Sequence, residues 1–151
     1  MDWCGYPCSR NGLLKVIEIV FMLVAFGCVM NVVVDILENS TLCNIKKDSG
    51  IKCVPEEYSV FVSLIFIVAI NILLLWIFRT LSDSHWLIRF ELVCCFLEVS
   101  FVIIAVVVLT SRIVQYSMIV LREIIGVIVA FGSFPLFLVD AHFAYKNISN
   151  H

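Results

Sequence analysis

The sequence predicts an all-α fold: an integral membrane antiparallel four-helix bundle. Three observations lead there. Apolar runs over 16–34, 59–78, 92–109 and 124–139 each approach the ~20 helical residues that cross a hydrocarbon core of ~30 Å. Hydrophobic residues make up 62% of the 151 positions and charged residues 15%, against about 45–50% and about 25% in soluble domains. Stretches such as 60–78, VFVSLIFIVAINILLLWIF, are apolar on every side, whereas a surface helix of a soluble domain keeps a polar face at the 3.6-residue period.

The elements follow in order. Residues 1–14 form an N-terminal tail. The stretch from Ser9 to Lys15 ahead of the first apolar run imitates the start of a secretory signal. The run nevertheless continues to Val34, carries Glu18 and lacks a small-x-small cleavage site, so it is read as a retained helix over 15–37. Further helices are expected over 59–79, 88–110 and 117–144, within one domain spanning 15–146, followed by a tail over 147–151. The connections are short, the longest lying between the first two helices, and short connections make successive helices antiparallel neighbours. Both chain ends then lie on one side. Pro135 is expected to kink the last helix by removing a backbone donor.

Orientation from lysine and arginine is a tie, with Arg10, Lys15, Arg79, Arg89 and Lys146 facing Lys46, Lys47, Lys52, Arg112 and Arg122. Cysteine breaks it. Cys43 and Cys53 flank Gly50 in the first loop, and such a pair closes a disulfide in an oxidising compartment. Asn39-Ser40-Thr41 in the same loop is a glycosylation sequon; Asn147-Ile148-Ser149 is a second, on the opposite face. The expectation is therefore a first loop outside and cytosolic termini. Cys4 and Cys8 then precede the first helix on the cytosolic side, as palmitoylation candidates.

Ionisable groups at membrane depth are costly, so their positions are informative. The first helix carries Glu18, Asn31 and Asp35, the second Asn71, the third Glu91 and Glu98, and the fourth Arg122, Glu123 and Asp140. Ala25, Cys28, Asn31 and Asp35 share an arc expected to face the other helices. Glu18, Glu91, Asp140, Asp35 and Arg122 fall near segment ends, where snorkelling is cheap; Glu98 and Asn71 are the deep pair. One reading is an ion or proton path along Glu98, Asn71 and Glu18. The other, which is the expectation, is hydrogen bonding between helices at about 0.6–2 kcal/mol each. Gly126 and Ala130 form a small-xxx-small pair that permits close approach of a helix, in this chain or in a second copy.

Several classes are set aside. A net charge of −2 with no basic cluster offers nothing to neutralise a row of phosphates, so no nucleic acid is expected. No C-x-x-C occurs, against a dithiol oxidoreductase. The tail cysteines lack the further ligands that a metal needs. No catalytic residue and no cofactor are expected.

The end of the fourth helix reads Phe137-Leu138-Val139-Asp140-Ala141-His142-Phe143-Ala144-Tyr145-Lys146. That run resembles the fourth helix of MARVEL-domain proteins, the group of the chemokine-like factor, MAL-type and physin proteins. In that family an inner acidic residue is followed by aromatics and then a base. Arg89-Phe90-Glu91-Leu92 resembles the family's third-helix start, and Lys15 with Glu18 its first. The resemblance covers the whole chain in architecture but few positions in motif; Glu98 and the Cys43/Cys53 pair depart from it. It implies a non-enzymatic protein of vesicle trafficking, membrane apposition or cell–cell contact. Its expected location is the plasma membrane or secretory and endosomal vesicles. The expected partners are membrane lipids and other membrane proteins, or, from the small-xxx-small pair, a second copy through Gly126 and Ala130. Trp76, Trp86, Tyr116 and Tyr145 would anchor it at the interfaces.

Two rivals differ in class. A small proton-coupled transporter would use Glu18 or Glu98 as its carrier carboxylate. A four-helix enzyme of glutathione or eicosanoid metabolism needs clustered arginines for its anionic cofactor, whereas Arg79, Arg89, Arg112 and Arg122 are dispersed. Claudin and tetraspanin architectures lack support, because neither the claudin loop signature nor a large second outer loop is present.

Overall fold

A computed structural model of the chain describes residues 5–38, 54–82, 84–116 and 121–150. Asn39, Cys4, Cys43 and Cys53 lie outside the described residues. A 3-10 turn at Tyr6–Cys8 precedes α1 (Arg10–Glu38), α2 (Glu56–Leu81), α3 (His85–Tyr116), α4 (Leu121–Gly132) and α5 (Phe134–Ser149). The last two form one span, so four helices are long and apolar enough to cross a membrane. Only 28–33% of the most apolar stretch of each is buried inside the bundle. The outward remainder is Leu, Ile, Val and Phe, a surface that only lipid solvates well. The chain is a multi-pass membrane protein.

The helices outrun their apolar cores into polar residues at their ends. Ser9 starts α1 well ahead of the expected Lys15: its Oγ accepts the Gly12 N–H at 3.1 Å and donates to the Tyr6 carbonyl at 2.6 Å. A side-chain acceptor at that position satisfies one of the orphan donors of the first turn. Glu56 and Glu57 open α2 and Arg79 closes it, each opposite in sign to the helix end it occupies. Gly12 is needed where the 3-10 turn crosses α1, because a Cβ there would sit 2.1 Å from the Tyr6 carbonyl oxygen and 2.9 Å from Pro7 Cα.

Packing follows a rule that mean hydropathy hides. The buried positions of α1 from Lys15 onward are Lys15, Glu18, Met22, Ala25, Val29 and Val32. Those of α2 include Tyr58, Phe61, Ile65, Val68, Ile72, Leu75 and Arg79. In α3 they include Ile88, Glu91, Cys95, Glu98, Val102, Ala105 and Leu109. Across α4 and α5 they are Glu123, Gly126, Ala130, Ser133, Phe137, Asp140 and Ala144. Each series alternates steps of three and four residues, the seven-residue repeat of a left-handed bundle. The arc expected to face inward is corrected accordingly. Ala25 is buried, but Asn31 and Asp35 are exposed, because the seam runs through Val29 and Val32 instead.

Successive spans are neighbours around the ring, and the fourth span closes it against α1 and α3. Its first half, α4, leans chiefly on α1 and its second half, α5, chiefly on α3. The change of partner falls at Ser133, two residues before Pro135. There the Ser133 N–H still reaches the Val129 carbonyl at 3.1 Å, and its Oγ donates to the Ala130 carbonyl at 2.6 Å. The helix is thus interrupted without losing the phase of its buried series.

Gly126 and Ala130 are spent inside the bundle. A Cβ on Gly126 would lie 2.8 Å from Val29 Cγ2 and 3.5 Å from the Ala25 carbonyl oxygen, and Ala130 is fully buried. They therefore offer no surface to a second copy. Val29 is β-branched and turns poorly. Gly126→Leu is expected to lower stability by about 1–3 kcal/mol, the usual cost of overpacking. Thermal unfolding of the purified chain in detergent, followed by circular dichroism, measures it.

Candidate functional site

Most polar members of the buried series gather at the two ends of the bundle, with Glu98 and Ser133 further in. At the end holding the chain termini, Lys15 is the hub. Its Nζ donates to Asp140 Oδ2 of α5 and lies 3.6 Å from Glu91 Oε1 of α3 and 3.9 Å from Glu18 Oε2 of its own helix. Cys95 Sγ donates to the same Asp140 oxygen at 3.1 Å. Glu91 faces a second cation, with Arg79 Nε of α2 at 3.4 Å from Oε2. One buried knot thus joins α1, α2, α3 and α5. The ring packing brings neighbours together; the Lys15–Glu91 pair adds a link across the diagonal between α1 and α3.

The 3-10 turn closes this end. The Tyr6 hydroxyl donates to Glu91 Oε1 at 3.3 Å, and the Arg79 guanidinium sits over the Tyr6 ring at 5.0 Å. Burial, and after it the Glu91 charge, push the Tyr6 phenol well above its ordinary range. Tyr6 therefore remains a hydrogen-bond donor at physiological pH. Deeper in the seam, Asn71 Nδ2 donates to Glu98 Oε1 at 2.7 Å, which realises the expected bond between the second and third spans. Glu98 Oε2 and both Glu18 oxygens are buried and make no hydrogen bond.

The opposite end has a smaller clamp. The Tyr58 hydroxyl of α2 donates to buried Glu123 of α4 across the other diagonal. Arg112 lies over the Tyr58 ring at 4.8 Å and 3.5 Å from Glu57. Arg122 and Asp35 pair at 2.6 Å with both side chains more than half exposed, a contact worth at most about 1 kcal/mol. Inward of the knot lie buried Ser133 and the Asn71–Glu98 pair, and from there to the far clamp the core is apolar, through Val68, Val102, Ile65, Ala105 and Ala130 to Phe61 and Leu109.

Several expectations are corrected here. Glu18, Glu91 and Asp140 do not snorkel to water; they are 0%, 2% and 1% exposed, because their helices begin earlier or end later than expected and enclose them. Asp35 alone of the acids expected at segment ends stands open. Lys15, Arg79 and Glu123 were not expected in the interior, and a search for the seven-residue repeat would have placed them there. Trp76 Nε1 is shielded and makes no hydrogen bond; Trp86 and Tyr145 are largely exposed. Cys8 is disulfide-bonded, so it has no thiol to acylate in this state. Cys28, Cys94 and Cys95 are free. Among the described residues no group of His, Cys, Asp and Glu is arranged to hold a metal. Comparison with family models, with curated proteins and with solved structures finds no match.

Proposed function

We propose that the chain is a non-enzymatic membrane organiser of MARVEL type, acting in vesicle trafficking, membrane apposition or cell–cell contact, with membrane lipids and other membrane proteins as partners. The observation that carries this reading is the identity of the knot. Lys15, Glu18, Glu91 and Asp140, residues on which the family resemblance rests, converge on one another from three spans. The residues of the motif then act as a structural lock between spans. Its outward surface is largely Leu, Ile, Val and Phe, broken by Asn31, Ser63 and Ser100, and suits sorting by bilayer thickness.

The rival reading, a proton-coupled transporter using Glu18 and Glu98, is favoured by their unpartnered oxygens. Against it stands the apolar core between Glu98 and the far clamp, which offers a proton no relay among the described residues across the second half of the membrane. A tagged full chain is expected at vesicles or cell contacts, and proteoliposomes are expected to show no pH-driven flux. Uniform reticular staining would count against the organiser, and a flux abolished by Glu18→Gln or Glu98→Gln would establish the transporter.

Cytosolic termini belong to the same proposal. The Cys8 disulfide pulls the other way, since such bonds are rare in a reducing cytosol. The orientations separate on the two sequons. With the first loop outside, Asn39→Gln abolishes any enzymatically removable glycan and Asn147→Gln leaves it unchanged; the reverse result places the termini outside.

A further inference from the structure

The knot at the terminal end is out of charge balance. Among the described residues, four carboxylates, Glu18, Glu91, Glu98 and Asp140, are buried there with two bases, Lys15 and Arg79. If every group were ionised, two negative charges would be left over in a site closed to water. An uncompensated charge in such a place is strongly destabilising. The positions of the surplus can be named. Asp140 is bound by Lys15, and Glu91 is shared between Lys15, Arg79 and Tyr6. Glu18 has neither oxygen hydrogen-bonded and reaches Lys15 only at 3.9 Å. Glu98 has one oxygen on Asn71 and the other unpartnered.

We infer that this cluster is a proton-binding site: Glu18 and Glu98 each hold an exchangeable proton at neutral pH, and the packing of the four spans depends on their keeping it. The groups facing Glu18 are Lys15 on its own helix, Glu91 and Glu98 of α3 and Asp140 of α5. Those facing Glu98 are Lys15 of α1, Asn71 of α2, Glu91, Cys94 and Cys95 of its own helix and Asp140 of α5. With a proton on each of the two glutamates, the remaining Glu91 and Asp140 match Lys15 and Arg79 one for one. Raising the pH removes the two protons and restores the surplus, so the cluster loosens the terminal end of the bundle under alkaline conditions. This holds whether or not the chain acts as a membrane organiser.

The sign follows from proton counting. The folded chain holds protons that the unfolded carboxylates release above about pH 4–5. Unfolding therefore releases protons, and stability falls as pH rises, by about tenfold in the unfolding constant per pH unit for each proton held. Infrared spectra of the purified full chain in detergent, in H2O and D2O, test this directly. Wild type at pH 7 is expected to show a protonated-carboxyl stretch that loses intensity in Glu18→Gln and again in Glu98→Gln. Both variants should stay folded, since the amide imitates the protonated acid, and both should flatten the pH dependence of thermal stability. Absence of the band at pH 7, a band unchanged in both variants, or unfolding of both would overturn the inference. So would stabilisation by sodium over choline at fixed pH, which would make the site's ligand a metal cation.

Discussion

Replacing Lys15 by Met is expected to cost the bundle about 3–5 kcal/mol, the range for deleting one partner of a buried ion pair. The side chain is fully buried and serves three carboxylates from three helices. Asp140 would keep only the weak Cys95 donor, while Glu91 would retain Arg79 and Tyr6. The loss should therefore concentrate where α5 meets α1. Lys15→Met with Asp140→Leu removes both ends of the shortest pair and is expected to recover at least half of the deficit, because an apolar pair of similar volume costs little in place of a buried ion pair. Reversible unfolding in mixed detergent, followed for the two single variants and the double variant, gives the coupling. A single variant within 1 kcal/mol of wild type would mean that the knot does not hold the helices together.

Why so much of the fold was legible, and so little of the site, has a physical answer. Length and all-round apolarity identify a membrane span because the bilayer imposes both. Four such spans with short connections leave little choice but an up-down bundle. Depth in sequence is a poor guide to burial in space, however. Glu18, Glu91 and Asp140 lie near the ends of apolar runs, yet Ser9, Arg79 and the extended α5 enclose them. In a soluble protein the seven-residue pattern is apolar and easily seen. Here both lipid and core favour apolar residues, so the inward series is marked instead by the polar exceptions: Lys15 and Glu18, Arg79, Glu91 and Glu98, Glu123, Ser133 and Asp140. Asn31 and Asp35 are polar as well but fall outside that phase, which is why an arc drawn through them pointed the wrong way.

The clamp at the far end supplies an independent test. Tyr58→Phe keeps the ring on which Arg112 rests and removes only the hydroxyl that donates to Glu123. Glu123 is 2% exposed, so its carboxyl loses a donor that water cannot replace. A cost of about 1–3 kcal/mol is expected. Glu123→Gln should cost less, because the amide oxygen still accepts the tyrosine proton. From Tyr58 to Arg79 the α2 helix rises roughly 30 Å at 1.5 Å per residue, and the core next to Tyr58, through Phe61, Ile65 and Val68, is apolar. Sites so far apart with no shared partner add within about 0.5 kcal/mol. Tyr58→Phe combined with Lys15→Met should therefore cost the sum of the two. A shortfall in the same unfolding experiment would mean that the bundle opens from one end first, and that the two clamps guard different steps of its unfolding.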